Sequence, residues 1–251
     1  VPAYLLHHRK SQLTDEEVGL LRRWVYSAMA FSHYSNQVEG KLDVEARLAR
    51  DRSGPPLFHE LLRRASGPRS MDSPIAPDDL VGKGASSPLF NLLYIAALRN
   101  GAKDWCSNTA ISAEPMSSGS KIEYHHVFPQ ARIRNRYGKE LMNNLGNLAF
   151  ISGTCNRKIA ASLPERYLTE LHVDRLAEQW IPEDSTLWRL DAFEAFLTCR
   201  RTLQAAALND LLGLPQYEER RGHEIEDEFP EDEDTISTGY LAEPDLDAEV
   251  R

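Results

Sequence analysis

Apolar side chains recur at steps of three and four residues over most of this 251-residue chain, and this spacing restricts the fold to a mainly helical one. The first such pattern runs over 13–52, and Thr14 and Glu17 form a capping-box sequence at its start. Residues 67–87, rich in proline, glycine and serine, predict a loop. Further helical stretches are predicted at 57–65, 88–100, 166–180 and 187–212. The stretch over 88–100 is almost entirely apolar, which predicts a buried helix capped by Ser86 or Ser87.

The centre of the chain has a different pattern. Residues 121–129 (KIEYHHVFP) alternate polar with β-prone side chains and end in a proline, which predicts a strand. Residues 147–152 (NLAFIS) predict a second strand, after which Gly153 turns the chain into a helix with Thr154 as its N-cap. We therefore expect a unit of two strands and one helix inside a mainly helical protein.

The net charge of −9 is concentrated at one end of the chain. Residues 217–251 contain 14 acidic and 3 basic side chains, whereas the preceding 216 residues contain 24 acidic and 26 basic ones. Residues 121–170 contain 8 basic and 4 acidic side chains, a local excess compatible with phosphate contacts. We expect the acidic end to be a disordered tail, with DNA mimicry in a basic groove as the alternative role.

The cysteines and the lengths of the apolar runs indicate where in the cell the protein is located. Cys106, Cys155 and Cys199 are odd in number and widely spaced, so we expect reduced thiols that serve in packing. No run of about 18 apolar residues predicts a membrane helix, and residues 1–10 lack the apolar stretch of a signal peptide. We therefore expect a soluble, cytoplasmic protein without a membrane partner.

The central motif resembles that of a known nuclease family. The run 125–129, His-His-Val-Phe-Pro, is followed by Asn147, by Asn156 nine residues later and by Pro164. This order resembles the HNH, or ββα-metal, motif of DNA endonucleases, and the nine-residue interval is similar to that of Cas9-type HNH domains. The paired histidines resemble those of the colicin group. The resemblance implies a mainly α fold with an embedded ββα-metal (HNH) unit.

Segments on either side of the motif resemble one particular group of HNH proteins. The segments 21–24 (LRRW), 102–105 (AKDW) and 163–167 (LPERY) are similar to the C-terminal half of GmrSD-type restriction proteins, including the SspE-type effectors that act on phage DNA. The implied organisation is a helical region over 1–110, an HNH nuclease core over 111–172, C-terminal helices that pack on the core over 173–216, and the acidic tail over 217–251.

The family's roles transfer to four positions of this sequence. His125 would bind a single divalent metal ion together with Asn156, which thereby also serves catalysis. His126 would be the general base, and Asn147 would pin the loop between the strands. Magnesium or manganese is the expected ion, with nickel and zinc as alternatives because His125 supplies nitrogen where many family members supply oxygen.

Other positions complete the expected site less directly. Ala160 replaces a histidine ligand of colicin-type sites, so two protein ligands would suffice, with Glu123 as a third if the strand twists. Arg132, Arg157 and Lys158 are the candidate DNA contacts. We expect Tyr124 and Phe128 in the core, facing away from the catalytic side; the other six histidines are treated as structural or surface residues.

The implied function is a metal-dependent DNA endonuclease that nicks or cleaves as the effector of a modification-sensing anti-phage restriction system. The alternative is a catalytically silent HNH-derived module that binds DNA or protein. GmrSD-type proteins carry an N-terminal nucleotide-hydrolysing sensor domain, whose Asp-Gly-Gln-Gln-Arg motif is missing from this sequence. We therefore expect an effector region whose partners are DNA and that sensor domain of the same protein.

Overall fold

The computed structural model describes residues 1–112 and 121–218, and there the protein is mainly helical with one two-stranded antiparallel sheet. Val1–Tyr217 form one compact unit. The acidic tail expected over 217–251 lies, from residue 219 onward, outside the described residues.

The helices of the described residues are α1 (Pro2–His7), α2 (Asp15–Ala30), α3 (Val38–Asp51), α4 (Pro55–Ser66), α5 (Pro88–Arg99), α6 (Gln130–Ile133), α7 (Lys139–Met142), α8 (Gly153–Ile159), α9 (Pro164–Tyr167), α10 (Val173–Ala177) and α11 (Phe193–Leu212). The strands are β1 (Ile122–His126) and β2 (Leu148–Ser152). Within 1–112 and 121–218, no helix is both long and apolar enough to cross a bilayer.

The first helical pattern forms two helices rather than one. The predicted capping box is confirmed: Thr14 Oγ1 accepts from the Glu17 backbone N–H at 3.2 Å, and Glu17 Oε2 accepts from the Thr14 N–H at 2.8 Å. Ser32 and Gln37 then adopt left-handed backbone angles, with φ of 52° and 50°, which end α2 and start α3 on a new axis. Apolar spacing alone does not reveal such a break.

Helix α5 matches its prediction as a buried helix. The Ser87 hydroxyl accepts from the Leu89 backbone N–H at 3.3 Å, and the helix ends at Asn100, before Gly101 with a φ of 72°. Leu92 and Ala97 are fully buried, in a core that α5 shares with α2 and α11. This core lies behind the sheet and supports it.

Strand β2 is buried on both faces, because it separates two apolar cores. Leu148 and Phe150 belong to the core that contains α5 and α11, whereas Ala149 and Ile151 belong to a second core with residues of α8, α9 and the start of α11. Successive side chains of a strand point to opposite faces. His125 pairs with Ala149 across the sheet and therefore faces the second core.

Side chains from distant elements hold the free edge of β2. The Gln179 side chain accepts from the Phe150 N–H at 2.7 Å and donates to the Phe150 carbonyl at 2.8 Å. Arg200, fully buried on α11, donates to the Gly146 carbonyl at 3.0 Å and the Gln179 carbonyl at 3.2 Å. Burial lowers the pKa of Arg200 to about 9. These contacts fix the strand from which the candidate site is built.

Several predicted boundaries need correction. The second strand and the next helix are present, but Ser152 rather than Thr154 is the N-cap and accepts from the Cys155 backbone N–H at 3.0 Å. The stretch predicted as helical over 166–180 contains only short pieces, the end of α9, one 3₁₀ turn and α10. A tertiary contact takes over a backbone group that a longer helix would satisfy, since the Gln179 carbonyl accepts from the Arg200 side chain.

The expectation of three reduced thiols is wrong, because Cys106 and Cys155 form a disulfide with a Cα–Cα distance of 5.3 Å. The two residues are 49 positions apart, but Asp104 Oδ1 accepts from the Ser152 N–H at 2.7 Å and holds the segment around Cys106 against the start of α8. Sequence spacing does not reveal this approach. Cys199 is a free thiol.

Candidate functional site

His125 is buried at the centre of the candidate site. His125 is 3% exposed, and its ring packs edge-on against Trp105 and Tyr167 at centroid distances of 6.0 and 5.8 Å. Burial lowers the pKa of His125 to about 4, an effect that the neighbouring His126 reinforces. His125 is therefore neutral at pH 7, the state in which an imidazole binds metal.

Asn156 meets His125 across the strand–helix junction. It lies in the first turns of α8, and its Oδ1 is 2.9 Å from His125 Nδ1 although 31 residues separate the two in sequence. This is the juxtaposition that the motif spacing predicts. It brings one nitrogen and one oxygen atom together at a partly exposed position.

The other end of the Asn156 amide contacts Glu123 on the same strand as His125. Nδ2 of Asn156 donates to Glu123 Oε2 at 2.9 Å. A Cβ atom at Gly153 would lie 2.7 Å from Glu123 Oε1, so the glycine leaves the space that this carboxylate occupies. The sequence predicts Glu123 at the site only if the strand twists; the structure brings its carboxylate into contact with Asn156.

The donor set suits a divalent cation. His125 Nδ1 and Asn156 Oδ1 would be the two donors to such an ion, which would take the place of the proton that Nδ1 donates to Asn156 Oδ1 at 2.9 Å in this structure. His125 Nε2 is buried and makes no hydrogen bond within the part of the chain that the structure describes. The same part contains no cluster of three His, Cys, Asp or Glu side chains that would hold a metal, so an ion here would depend on the amide oxygen of Asn156.

Ala160 supplies no further ligand. It follows the last residue of α8 with a φ of 49°, so the helix has already ended where colicin-type sites place a histidine.

His126 points to the opposite face of β1 and is partly exposed. Its Nε2 lies 3.1 Å from Asn143 Oδ1, which also accepts from the Gln130 side-chain amide at 2.7 Å. The Gln130 side-chain nitrogen also lies 3.0 Å from His126 Nε2, so this ring nitrogen faces one acceptor and one donor, and these contacts do not select a tautomer. Burial lowers the pKa of His126, with the Asn143 hydrogen bond opposing the shift, so the ring is neutral and able to accept a proton at pH 7.

Gln130 and Asn143 were missed by the sequence argument. Gln130 follows Pro129 directly and begins α6, which returns its side chain to His126 four residues earlier. The position four residues after a candidate base, at the start of a short helix, is the signal that points to Gln130. Asn143 ends α7 and has no comparable signal, because the predicted loop showed no internal helix.

Asn147 is fully buried and makes the contacts that a loop-pinning residue needs. Its Oδ1 accepts from the Phe128 N–H at 2.8 Å, and its Nδ2 donates to the carbonyl groups of Phe128 at 3.1 Å and Met142 at 2.9 Å. The Asn147 carbonyl accepts from the Val127 N–H at 2.8 Å. One side chain thus joins the end of β1, the loop and the start of β2.

The three candidate DNA contacts are exposed side chains. Arg157 and Lys158 follow Asn156 on α8, and Arg157 makes a weak 3.4 Å contact with Thr154 Oγ1. Arg132 on α6 donates to the Ala161 carbonyl at 3.3 Å, which joins α6 to the end of α8. The three cations therefore lie on the two helices that flank the candidate site.

The expectation that Tyr124 is a core residue is wrong. Tyr124 is 52% exposed. The alternation of side chains along β1 directs its ring towards Phe90 of α5, and the two rings are in edge contact with their centroids 6.0 Å apart. Phe128 is fully buried, as expected.

Comparisons of this chain with protein-family models, with curated proteins and with solved structures give no match.

Proposed function

We propose that this protein is a metal-dependent DNA endonuclease whose site is built from His125, His126, Asn147 and Asn156. The observation that carries the proposal is the 2.9 Å approach of His125 Nδ1 to Asn156 Oδ1, next to a histidine that is neutral at pH 7. In this proposal β1, β2 and α8 form a ββα-metal unit.

The proposed reaction is hydrolysis of a phosphodiester. A ring nitrogen of His126 accepts a proton from a water molecule while the oxygen of that water bonds to phosphorus, and the bond from phosphorus to the 3′ oxygen breaks. Because His125 and His126 leave β1 on opposite faces, the phosphate would lie across the end of the strand to reach both. A divalent ion held by His125 and Asn156, magnesium or manganese with nickel and zinc as alternatives, would supply charge stabilisation for the phosphate and the leaving oxygen. Asn143 and Gln130 hold the ring of His126 through its Nε2.

The polarity around the site fits a polyanionic substrate. Arg132 is exposed on α6, and Arg157 and Lys158, which directly follow the proposed metal ligand Asn156, are exposed on α8. Contacts of this kind position a phosphate backbone and carry no sequence preference of their own. We propose, following the resemblance, that a sensor domain of the same restriction protein supplies the recognition of modified phage DNA.

A plasmid-nicking assay tests the proposal. Supercoiled plasmid is incubated with magnesium, manganese, nickel or zinc, using the wild type, H126A, N156A and the control N135A, whose side chain is exposed. We expect nicking by the wild type and N135A, and a loss of about 10²-fold or more in H126A, because a positioned base contributes that much.

Two results would overturn the proposal. Equal nicking by H126A, N156A and the wild type would show that the activity does not come from this site. DNA binding without cleavage in every metal would identify the chain as a silent HNH-derived binding module instead.

A further inference from the structure

An asparagine ligand presents a choice of orientation that an aspartate does not. The amide of Asn156 carries one oxygen, which can bind a cation, and one NH₂ group, which cannot. Rotation by about 180° around its last bond would exchange them and place two N–H donors in front of His125. A site that relies on Asn156 Oδ1 therefore needs a group that fixes the amide.

Glu123 is placed to do this. Its Oε2 accepts from Asn156 Nδ2 at 2.9 Å, and a carboxylate can only accept hydrogen bonds. With Nδ2 held by Glu123, the oxygen of Asn156 must face His125 Nδ1, as observed.

The chain also makes room for the carboxylate. Gly153, the first residue of α8, lies where a Cβ would approach Glu123 Oε1 to 2.7 Å and Glu123 Cδ to 3.1 Å. A Cβ at this position would require the Glu123 carboxylate to shift from where it contacts Asn156. The glycine therefore has a role at the site besides starting the helix.

We propose that Glu123 is a positioning residue that orients the Asn156 amide for metal binding, with Gly153 providing the space it needs. This inference rests on the proposed function, because it assigns the orientation of a metal ligand. Partners of this kind, once removed, typically lower metal affinity by about 10-fold to 100-fold.

The test measures Mn²⁺ binding by isothermal titration calorimetry, with no DNA and no turnover. We expect E123A and G153A each to weaken binding by about 10-fold to 100-fold. E165A, which removes an exposed carboxylate from α9, is the matched control and should bind as the wild type does. Thermal melting without metal checks that each variant is folded.

Testing E123A again in the N156D variant shows whether Glu123 orients the Asn156 amide or binds the metal ion directly. In N156D both side-chain oxygens are equivalent and no N–H remains for Glu123 to hold, so E123A should weaken Mn²⁺ binding much less there than in the wild type, through the loss of one nearby negative charge alone. Weakening of equal size in the N156D and wild-type backgrounds would mean that Glu123 acts on the ion itself and would overturn the inference.

The remaining outcomes also decide the question. Wild-type binding that E123A and G153A leave unchanged would overturn the inference while the proposed metal site stands. If the folded wild type binds no Mn²⁺, the proposed function is overturned and the inference with it. If N156D does not fold, the comparison of E123A, G153A and E165A in the wild type still decides between the outcomes.

Discussion

The burial of His125 has an energetic consequence. Its Nε2 is buried without a partner among the described residues, and an unsatisfied buried polar atom costs about 1–3 kcal/mol. The neighbouring rings of Trp105 and Tyr167 would suit an apolar side chain of similar shape. The residue is therefore placed for binding at the expense of stability.

Replacing His125 with phenylalanine should stabilise the metal-free protein by about 1 kcal/mol, because the unsatisfied nitrogen disappears while the aromatic packing remains. The measurement is urea unfolding in the presence of EDTA. The same variant should lose Mn²⁺ binding. A large loss of stability in H125F would show that the His125–Asn156 hydrogen bond outweighs the buried nitrogen.

Asn147, in contrast to His125, has every polar atom of its side chain hydrogen-bonded. N147A leaves the Phe128 N–H and the carbonyl groups of Phe128 and Met142 without their partner, and we expect a loss of about 3 kcal/mol or more in the free energy of unfolding. Urea unfolding measures the loss. The exposed N135A is the control, and a loss no larger than in N135A would contradict the pinning role.

Individual elements were predictable where their signals are local. The capping box of α2 and the serine cap of α5 depend on residues three or fewer positions apart, and both are present. The strands and α8 also follow their local pattern, and the spacing of the motif anticipated the meeting of His125 with Asn156. The contacts of Glu123, Asn143 and Gln179 could not be anticipated, because they depend on how distant elements pack.

The capping box of α2 allows a prediction for one element. T14A removes the acceptor of the Glu17 N–H, and we expect a loss of about 1 kcal/mol in the free energy of unfolding. Chemical denaturation measures it. S11A, an exposed change ahead of the helix, is the control, and equal stability of T14A and S11A would contradict the capping role.

Glu17 makes this region sensitive to acid. Its hydrogen bond from Lys10 and that from the Thr14 backbone hold the pKa of Glu17 below its ordinary value. The carboxylate therefore stabilises the fold above its unfolded-state pKa, and this contribution is lost as the pH falls through the folded-state pKa. Urea unfolding should show E17Q less stable than the wild type at pH 7, with the difference shrinking towards pH 3; a constant difference would contradict this.

The molecule as a whole is tied together at the site by the Cys106–Cys155 disulfide. Cys155 precedes Asn156 on α8 and is fully buried, whereas Cys106 is exposed, so a thiol reductant can reach the bond from one side. The bond closes a loop across 49 residues, which places the segment with Trp105 against α8.

Loss of this disulfide should lower the free energy of unfolding by about 2–4 kcal/mol, because the unfolded chain gains the freedom of the opened loop. Urea unfolding of C106S measures the change, and C199S, which alters the free thiol, is the control. The same stability for C106S and C199S would mean that the bond contributes nothing.

The most direct test of the nuclease claim is the chemical rescue of His126. Single-turnover cleavage of a labelled DNA duplex is measured with Mn²⁺ for the wild type and for H126G, with and without added imidazole. We predict that H126G is inactive alone and regains cleavage in proportion to the imidazole concentration, because the added base takes the place of the missing ring. Cleavage by H126G at the wild-type rate without imidazole, or no cleavage by the wild type, would contradict the account.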